Sequence, residues 1–277
     1  MGTFDEAFDA LHEQFGQERV AREPVWEALK TLSQLDPERY EDQVLEYLSM
    51  KAAQLPKPLR DLRSMDELTE ATEVLAWPCF SLDLSRTHFT SDELEALVQS
   101  PLLRAVHTLL LEGCGLGDEG VQVLASSPHL NGLERLDLSS NGIEEDGVRA
   151  LLGAPAQLPN LRSLTLAENP LALKGAEALA QCEGLSRLES LNLNHCTLYR
   201  YEGMRALASS PHVRNLRKLE LVGNDINDKG ARALAKSPHL GNLRFLDIRT
   251  TEIGAKGLEA LETSANLPYV SIDYEEW

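Results

Sequence analysis

Three groups of residues have the types and spacing that could do chemistry. The first is GLGDEG, Gly115 to Gly120, a literal GxGxxG between a strand-like and a helix-like run. In that context glycines let a pyrophosphate rest on bare backbone amides at a helix N-terminus. Asp118 and Glu119, however, put two carboxylates where the phosphate charge would sit, and glycine recurs at the place of Gly120 in every later unit. The second group is His129, His212 and His239, each directly after a proline. Metal ligation needs several donors converging at about 2.0–2.3 Å from one ion, and histidines a whole unit apart do not converge. The third is Cys79, Cys114, Cys182 and Cys196, with no CxxC pair and no disulfide framework; reduced thiols in a cytoplasmic compartment are the expectation. No HExxH, GxSxG or P-loop occurs in a supporting context. The expectation is a non-enzymatic protein with no cofactor, no metal and no catalytic residue.

The elements that would position these residues follow from self-similarity. Taking Leu133 as position 1 of a frame LxxLxLxxNxI, the same frame starts at Cys79, Val106, Leu161, Leu188, Leu216 and Leu243, with units 27 or 28 residues apart. LPYVSI, 267–272, reads as an eighth, truncated strand whose position 1 is Leu267. Leucines at positions 4 and 6 alternate with polar residues, the period of a half-buried strand. Helical spacing follows: a glycine (Gly120, Gly147, Gly175, Gly203, Gly230 or Gly257) with leucine four residues on. Glycine there lets one backbone pass close to its neighbour. Proline then ends most of the helices, as in SSPHL and KSPHL.

These units resemble the leucine-rich repeat family, and their length with a full helix per unit is similar to its ribonuclease-inhibitor and Ran GTPase-activating-protein branch. The resemblance implies an α/β fold: a right-handed leucine-rich-repeat solenoid, or horseshoe, with a parallel sheet on the concave face and helices on the convex face. It also implies a ladder of backbone hydrogen bonds made by position 9, which is Asn141, Asn169 and Asn224 in three units and Cys114, Cys196, Thr87 or Thr251 in the others.

Residues 1–76 do not follow the repeat. Helices are expected around Phe4, Phe8, Leu11 and Phe15 behind a Thr3/Glu6 capping box, over 25–32 after Pro24, over 40–50, and over 65–75 behind Ser64 and Glu67, with a turn at LPKPL, 55–59. Two readings stand for this region: a helical cap on the first layer of the repeats, which occupy 77–277, or a docking domain of its own.

Chemistry is then left to a surface. Positions 3, 5 and 7 share one side of the sheet. Position 5 carries Asp83, Asp137, Asn192, Glu220 and Asp247; position 3 carries Lys218, Phe245 and, in the truncated unit, Tyr269; position 7 carries Arg249. Aromatics and arginine dominate binding hot spots, so Phe245, Arg249 and Tyr269 are expected to bind, whereas Trp277 is expected to fold over the last leucine layer, and Tyr274 stands open between the two readings. In the fifth unit Gly203 comes one residue late, so Tyr199, Arg200 and Tyr201 are expected on a bulged loop, either an interface or a tolerated insertion.

The balance of 26 Lys and Arg against 44 Asp and Glu gives −18, which repels nucleic acid and anionic membrane and favours a basic partner. Residues 1–75 hold 17 acids and 8 bases, hence −9, the denser negative stretch. The N-terminus has no secretory-signal pattern, and no apolar run reaches 18 residues. The expected function is protein–protein interaction on the concave face, as an inhibitor or immunity-like protein by analogy with ribonuclease inhibitor. The alternative is regulation of a small GTPase.

Overall fold

Short strands whose central leucine is flanked by polar residues must bury one side and leave the other wet, and a computed structural model of the chain shows this in unit after unit. The structure describes residues 3–15, 22–36, 39, 44, 61–65, 81–153, 158–198 and 200–274. The chain divides into one unit of residues 1–83 with 105–108, and a second of 84–104 with 109–277.

In the first unit, helix α1 (Phe4–Phe15) begins at the expected capping box: Thr3 N donates to Glu6 Oε2 (2.9 Å), and Glu6 N donates to Thr3 Oγ1 (3.3 Å). It packs on α2 (Arg22–Leu35), burying Phe4 and Leu11 with Leu29 and Leu32. Helix α2 starts three residues before the expected Val25; Pro24 lies in its first turn, where no helical amide is needed. The Arg39 guanidinium pairs with Asp5 at 2.6 Å and lies 4.3 Å from the Phe4 ring centroid. The expected helices over 40–50 and 65–75 and the turn at 55–59 fall almost wholly outside the described residues. One element was not foreseen: strand β1 (Asp61–Leu62) runs parallel to β2 (Ser81–Asp83), Asp61 opposite Ser81.

In the second unit strands and helices alternate. The strands are β3 (Thr108–Leu110), β4 (Arg135–Asp137), β5 (Ser163–Thr165), β6 (Ser190–Asn192), β7 (Lys218–Glu220), β8 (Phe245–Asp247) and β9 (Ser271–Asp273). The helices are α3 (Ser91–Gln99), α4 (Gly117–Ala125), α5 (Glu145–Leu152), α6 (Ala172–Gln181), α7 (Arg200–Ser209), α8 (Asp228–Ala235) and α9 (Ala255–Glu262). From β4 to β9 each strand pairs in parallel with the next, so the sheet follows chain order and the helices form the other layer. This is the α/β repeat solenoid expected from the sequence.

Position 4 and position 6 side chains, such as Leu136, Leu138, Leu219 and Leu221, are buried together with the helix leucines Leu151 and Leu234. Each such leucine contributes roughly 1.5–3 kcal/mol by leaving water, shared between neighbouring units because none can bury its face alone.

The turns after the strands are held by the position 9 side chains. Asn169 Oδ1 accepts from Asn141 N (3.0 Å) and Ile143 N (2.9 Å) of the preceding unit, while its Nδ2 donates to Leu138 O (2.9 Å) and Leu166 O (2.9 Å). Asn141 and Asn224 repeat the pattern. Cysteine can only half replace it: Cys196 Sγ donates to Leu166 O (3.0 Å) but presents no acceptor to the previous turn. Thr251 bonds only Ile248 O of its own unit (2.7 Å).

A second ladder, on the helix side, was not read from the sequence. Ser210 and Ser237 hydroxyls donate to Ala180 O and Ala208 O of the preceding helix end (2.6 Å each), and accept from His212 N and His239 N (3.2 Å each). Ser127 and Ser264 do the same toward Val98 and Ala235. The histidines after proline are thus placed by their backbone, as framework.

Candidate protein-binding surface

The sheet register decides which candidate residues meet. Lys218 stands opposite Phe245, and Asn192, Glu220 and Asp247 lie in one row across β6, β7 and β8. Adjacent strands are about 4.8 Å apart, so these rows are near neighbours. Lys218 Nζ lies 2.9 Å from Glu220 Oε2 and 5.5 Å from the Phe245 ring centroid. Asp247, its side chain only 3% exposed, takes Arg249 Nε (3.0 Å) and Nη2 (2.7 Å) in a fork and Arg249 N at 3.2 Å. Arg249 is 46% exposed and also reaches Asp273 Oδ2 at 3.4 Å. A fork on a buried carboxylate fixes the plane of a half-exposed guanidinium.

Glu220 and Asp247, read as acids facing outward, are therefore already matched by cations in the same strip. Asp137 is different: its Oδ1 accepts from Ser139 N (2.9 Å) and Oγ (2.6 Å). It lies four strands from Asp247, roughly 19 Å at sheet spacing, and belongs to another part of the face. Asn192 Oδ1 accepts from Asn194 N (2.9 Å), and Asn194 Oδ1 from Val222 N (2.8 Å), a cross-strand bond not anticipated.

Two expectations need correction. Tyr269 does not occupy position 3 of the last strand. Ser271 does, opposite Phe245, with Asp273 opposite Asp247. Val270 N bonds Leu267 O as Leu243 N bonds Leu240 O one unit earlier, so Leu267 holds the place of Leu240 ahead of the turn and not position 1. Tyr269 instead stands 70% exposed ahead of β9, with the Arg244 guanidinium 4.8 Å from its ring centroid. Arg244, at position 2, was not among the expected residues; a basic residue beside an exposed ring was the available signal.

Tyr201 is not on a bulged loop either. Helix α7 begins at Arg200, three residues before its glycine as α6 does, putting Tyr201 in the first turn with Arg205 5.9 Å from its ring centroid, on the helix layer and away from Phe245. Tyr199 and Trp277 lie outside the described residues, and Tyr274, just after β9, is half-buried.

Other geometry bears on the residues first singled out. At GLGDEG the amides are engaged within the repeat: Gly117 N donates to Asn141 O (2.8 Å) and Leu116 N to Asn141 Oδ1 (3.2 Å). Asp118 Oδ1 accepts Glu144 N of the next unit at 2.8 Å. A Cβ at Gly147 would stand 2.5 Å from that same oxygen, so the repeat glycine makes room for the preceding unit's carboxylate. At Gly223 (φ +68°) a Cβ would overlap the His195 imidazole, 2.1 Å from Nδ1, placing an exposed histidine edge beside the strip. Cys114, Cys182 and Cys196 are buried. Burial pushes the Cys196 thiol up to about 12 and raises Cys182 as well, so both stay protonated donors. Among the described residues no group of three or more His, Cys, Asp or Glu is placed to hold a metal ion, and no helix is long and apolar enough to cross a membrane.

The family model described as Leucine Rich repeat matches residues 106–125, 129–152, 157–180, 212–235 and 239–261. The matched units are similar to leucine-rich repeats. The matched leucine-rich segments leave out 181–211, where the fifth unit has cysteine for asparagine and one residue more before its glycine. Comparison with curated proteins gives no match. Among solved structures, a TLR13–ssRNA13 complex is similar at 18% identity and a TM-score of 0.39, covering 78% of this chain and 37% of that one. The chain thus spans little more than a third of that structure's length. Leucine-rich repeats generally mediate protein–protein interaction.

Proposed function

We propose that this protein binds another protein on the sheet face of its repeats, through the strip formed by Lys218, Glu220, Phe245, Asp247 and Arg249, with Tyr269 and Arg244 at its edge. The observation that carries the reading is the Arg249 guanidinium, half exposed yet locked by buried Asp247, next to an aromatic ring and a paired lysine. Such a patch presents hot-spot residue types at little conformational cost. The net charge of −18 supports a partner with a basic patch, drawn in by the field of the whole chain and met locally by Asp137 and Asn192, since the strip itself is nearly balanced. The role is that of a non-enzymatic binder, of inhibitor or immunity type by analogy of repeat length with the ribonuclease-inhibitor branch.

The test is quantitative capture from native lysate on the full chain, on Phe245→Ala/Arg249→Ala, and on Tyr201→Ala. A protein held by the full chain and by Tyr201→Ala but lost by the double variant supports the strip; equal retention by all three sinks it. If the captured protein is a GTPase, faster hydrolysis in the presence of the chain would move the role from inhibitor to regulator.

A further inference from the structure

On the helix layer, α7 and α8 lie side by side and leave a trough of about 530 Å³ between them. Helical spacing makes it. Tyr201, Arg205 and Ala208 fall on one stripe of α7, and Lys229, Arg232, Ala233 and Lys236 on the facing stripe of α8. The alanines form a low floor, the long cationic side chains form both walls, and Pro238 closes one end. No carboxylate lines it.

This is against the trend of the chain. A protein of net charge −18 here gathers four cations around one depression. At the equivalent places the other helices carry at most one cation each: none on α4 (Glu119, Gln122), Arg149 paired with Glu145 on α5, Lys174 before Glu177 on α6, Arg205 on α7, and Lys256 before Glu259 on α9. Of the trough cations, Arg232 alone has a carboxylate near, Asp228 Oδ2 at 3.9 Å, and its Nε is taken by Asp228 O. Arg205 lies over the Tyr201 ring, and among the described residues Lys229 and Lys236 form no ion pair. Glu202, exposed on the first turn of α7, is the nearest acid in sequence to the Tyr201 wall.

We propose that this trough docks an acidic segment of a partner protein, separately from the sheet-face strip. Lys229 in the first turn of α8 and Lys236, the residue that caps its end, are seven residues apart, on the order of 10 Å. An extended chain presents alternate side chains to one side roughly every 7 Å, so two or three acids at alternate positions span the walls. A segment that is acidic over only a few residues gains these cations, whereas a long polyanion would also meet the repulsion of the remaining surface. The alanine floor and the Tyr201 ring accept the segment's aliphatic stems.

The experiment is fluorescence anisotropy of a labelled hexaglutamate peptide against the full chain at about 20 mM salt, where exposed charges are little screened. Saturable binding that weakens at least about tenfold in Lys229→Glu/Lys236→Glu, with the melting temperature kept, supports the proposal. Absence of binding, or equal binding by the variant, overturns it. Tighter binding of a six-nucleotide single strand, lost in the same variant, overturns the protein occupant in favour of nucleic acid. Should the double reversal not fold, Arg205→Ala and Lys236→Ala replace it, each expected to weaken binding about threefold; no change in either overturns the proposal. The Phe245→Ala/Arg249→Ala variant should bind the peptide as the full chain does.

Discussion

The sheet-face strip over β7–β9 and the helix-face trough between α7 and α8 are built from the same consecutive repeats, yet they handle charge in opposite ways. On the sheet every cation of the strip sits on an acid: Lys218 on Glu220, Arg249 on Asp247 and Asp273. On the helices Lys229 and Lys236 have no such partner among the described residues. The difference teaches that a net charge of −18 describes the far field, while the near field is decided by which rows the fold places side by side. On the sheet a cation and an acid two residues apart share a face and neutralise each other, and Arg249 also reaches Asp273 of the next unit; the stripes that flank the trough bring cation beside cation.

The largest effect is expected at the turn that joins the two faces in the fifth unit. A free thiol ionises around 9.0 and the Cys196 thiol at about 12, because burial disfavours the thiolate. Its folded value is raised, so its contribution is fully present below pH 9 and is lost as pH rises toward 12, by about 4 kcal/mol in all. Urea denaturation of the full chain and of Cys196→Ala across that range should give a steeper alkaline loss for the former; parallel curves would show that the turn opens to water and does not couple the faces rigidly.

Next, Asp247→Ala should cost about 1–3 kcal/mol in the same assay, since it strips three hydrogen bonds from Arg249 and leaves a hole beneath the strip. A double-mutant cycle on Lys218 and Glu220 should return a coupling of about 0.2–1 kcal/mol that fades with salt. Smallest of all, Lys229→Ala and Lys236→Ala should stay within about 0.5 kcal/mol of zero, neutral or slightly stabilising at low salt because each relieves repulsion with Arg232. A clear destabilisation by either would mean that the trough cations are structural, and the contrast between the faces would collapse.

Much of this was legible beforehand for a physical reason. Leucines at positions 4 and 6 mark strands because burial alternates along a strand, and the glycine with leucine four residues on marks the helix. Thr3 with Glu6 marked the start of α1 through two short-range bonds. Strand β1 was missed because Asp61–Leu62 offers two residues and no alternation. Tyr269 was misplaced because the last unit is one residue shorter between its turn and its strand, and a one-residue change of register is invisible without the partner strand. Tyr201 was misplaced because α7, like α6, starts three residues before its glycine, so a residue two before Gly203 is already helical.

The sequence alone determined the repeat, its period, the buried leucine rows and the kinds of residue on each face, since all of these follow from spacing along one chain. Tertiary structure decided which residues of different units meet. Lys218 with Glu220, like Asp247 with Arg249, stands two residues apart in one unit and follows from spacing, but Arg249 reaching Asp273, Lys218 lying by Phe245 and Arg205 sharing a trough with Lys229 depend on register between units and on helix separation, distances that sequence spacing does not encode.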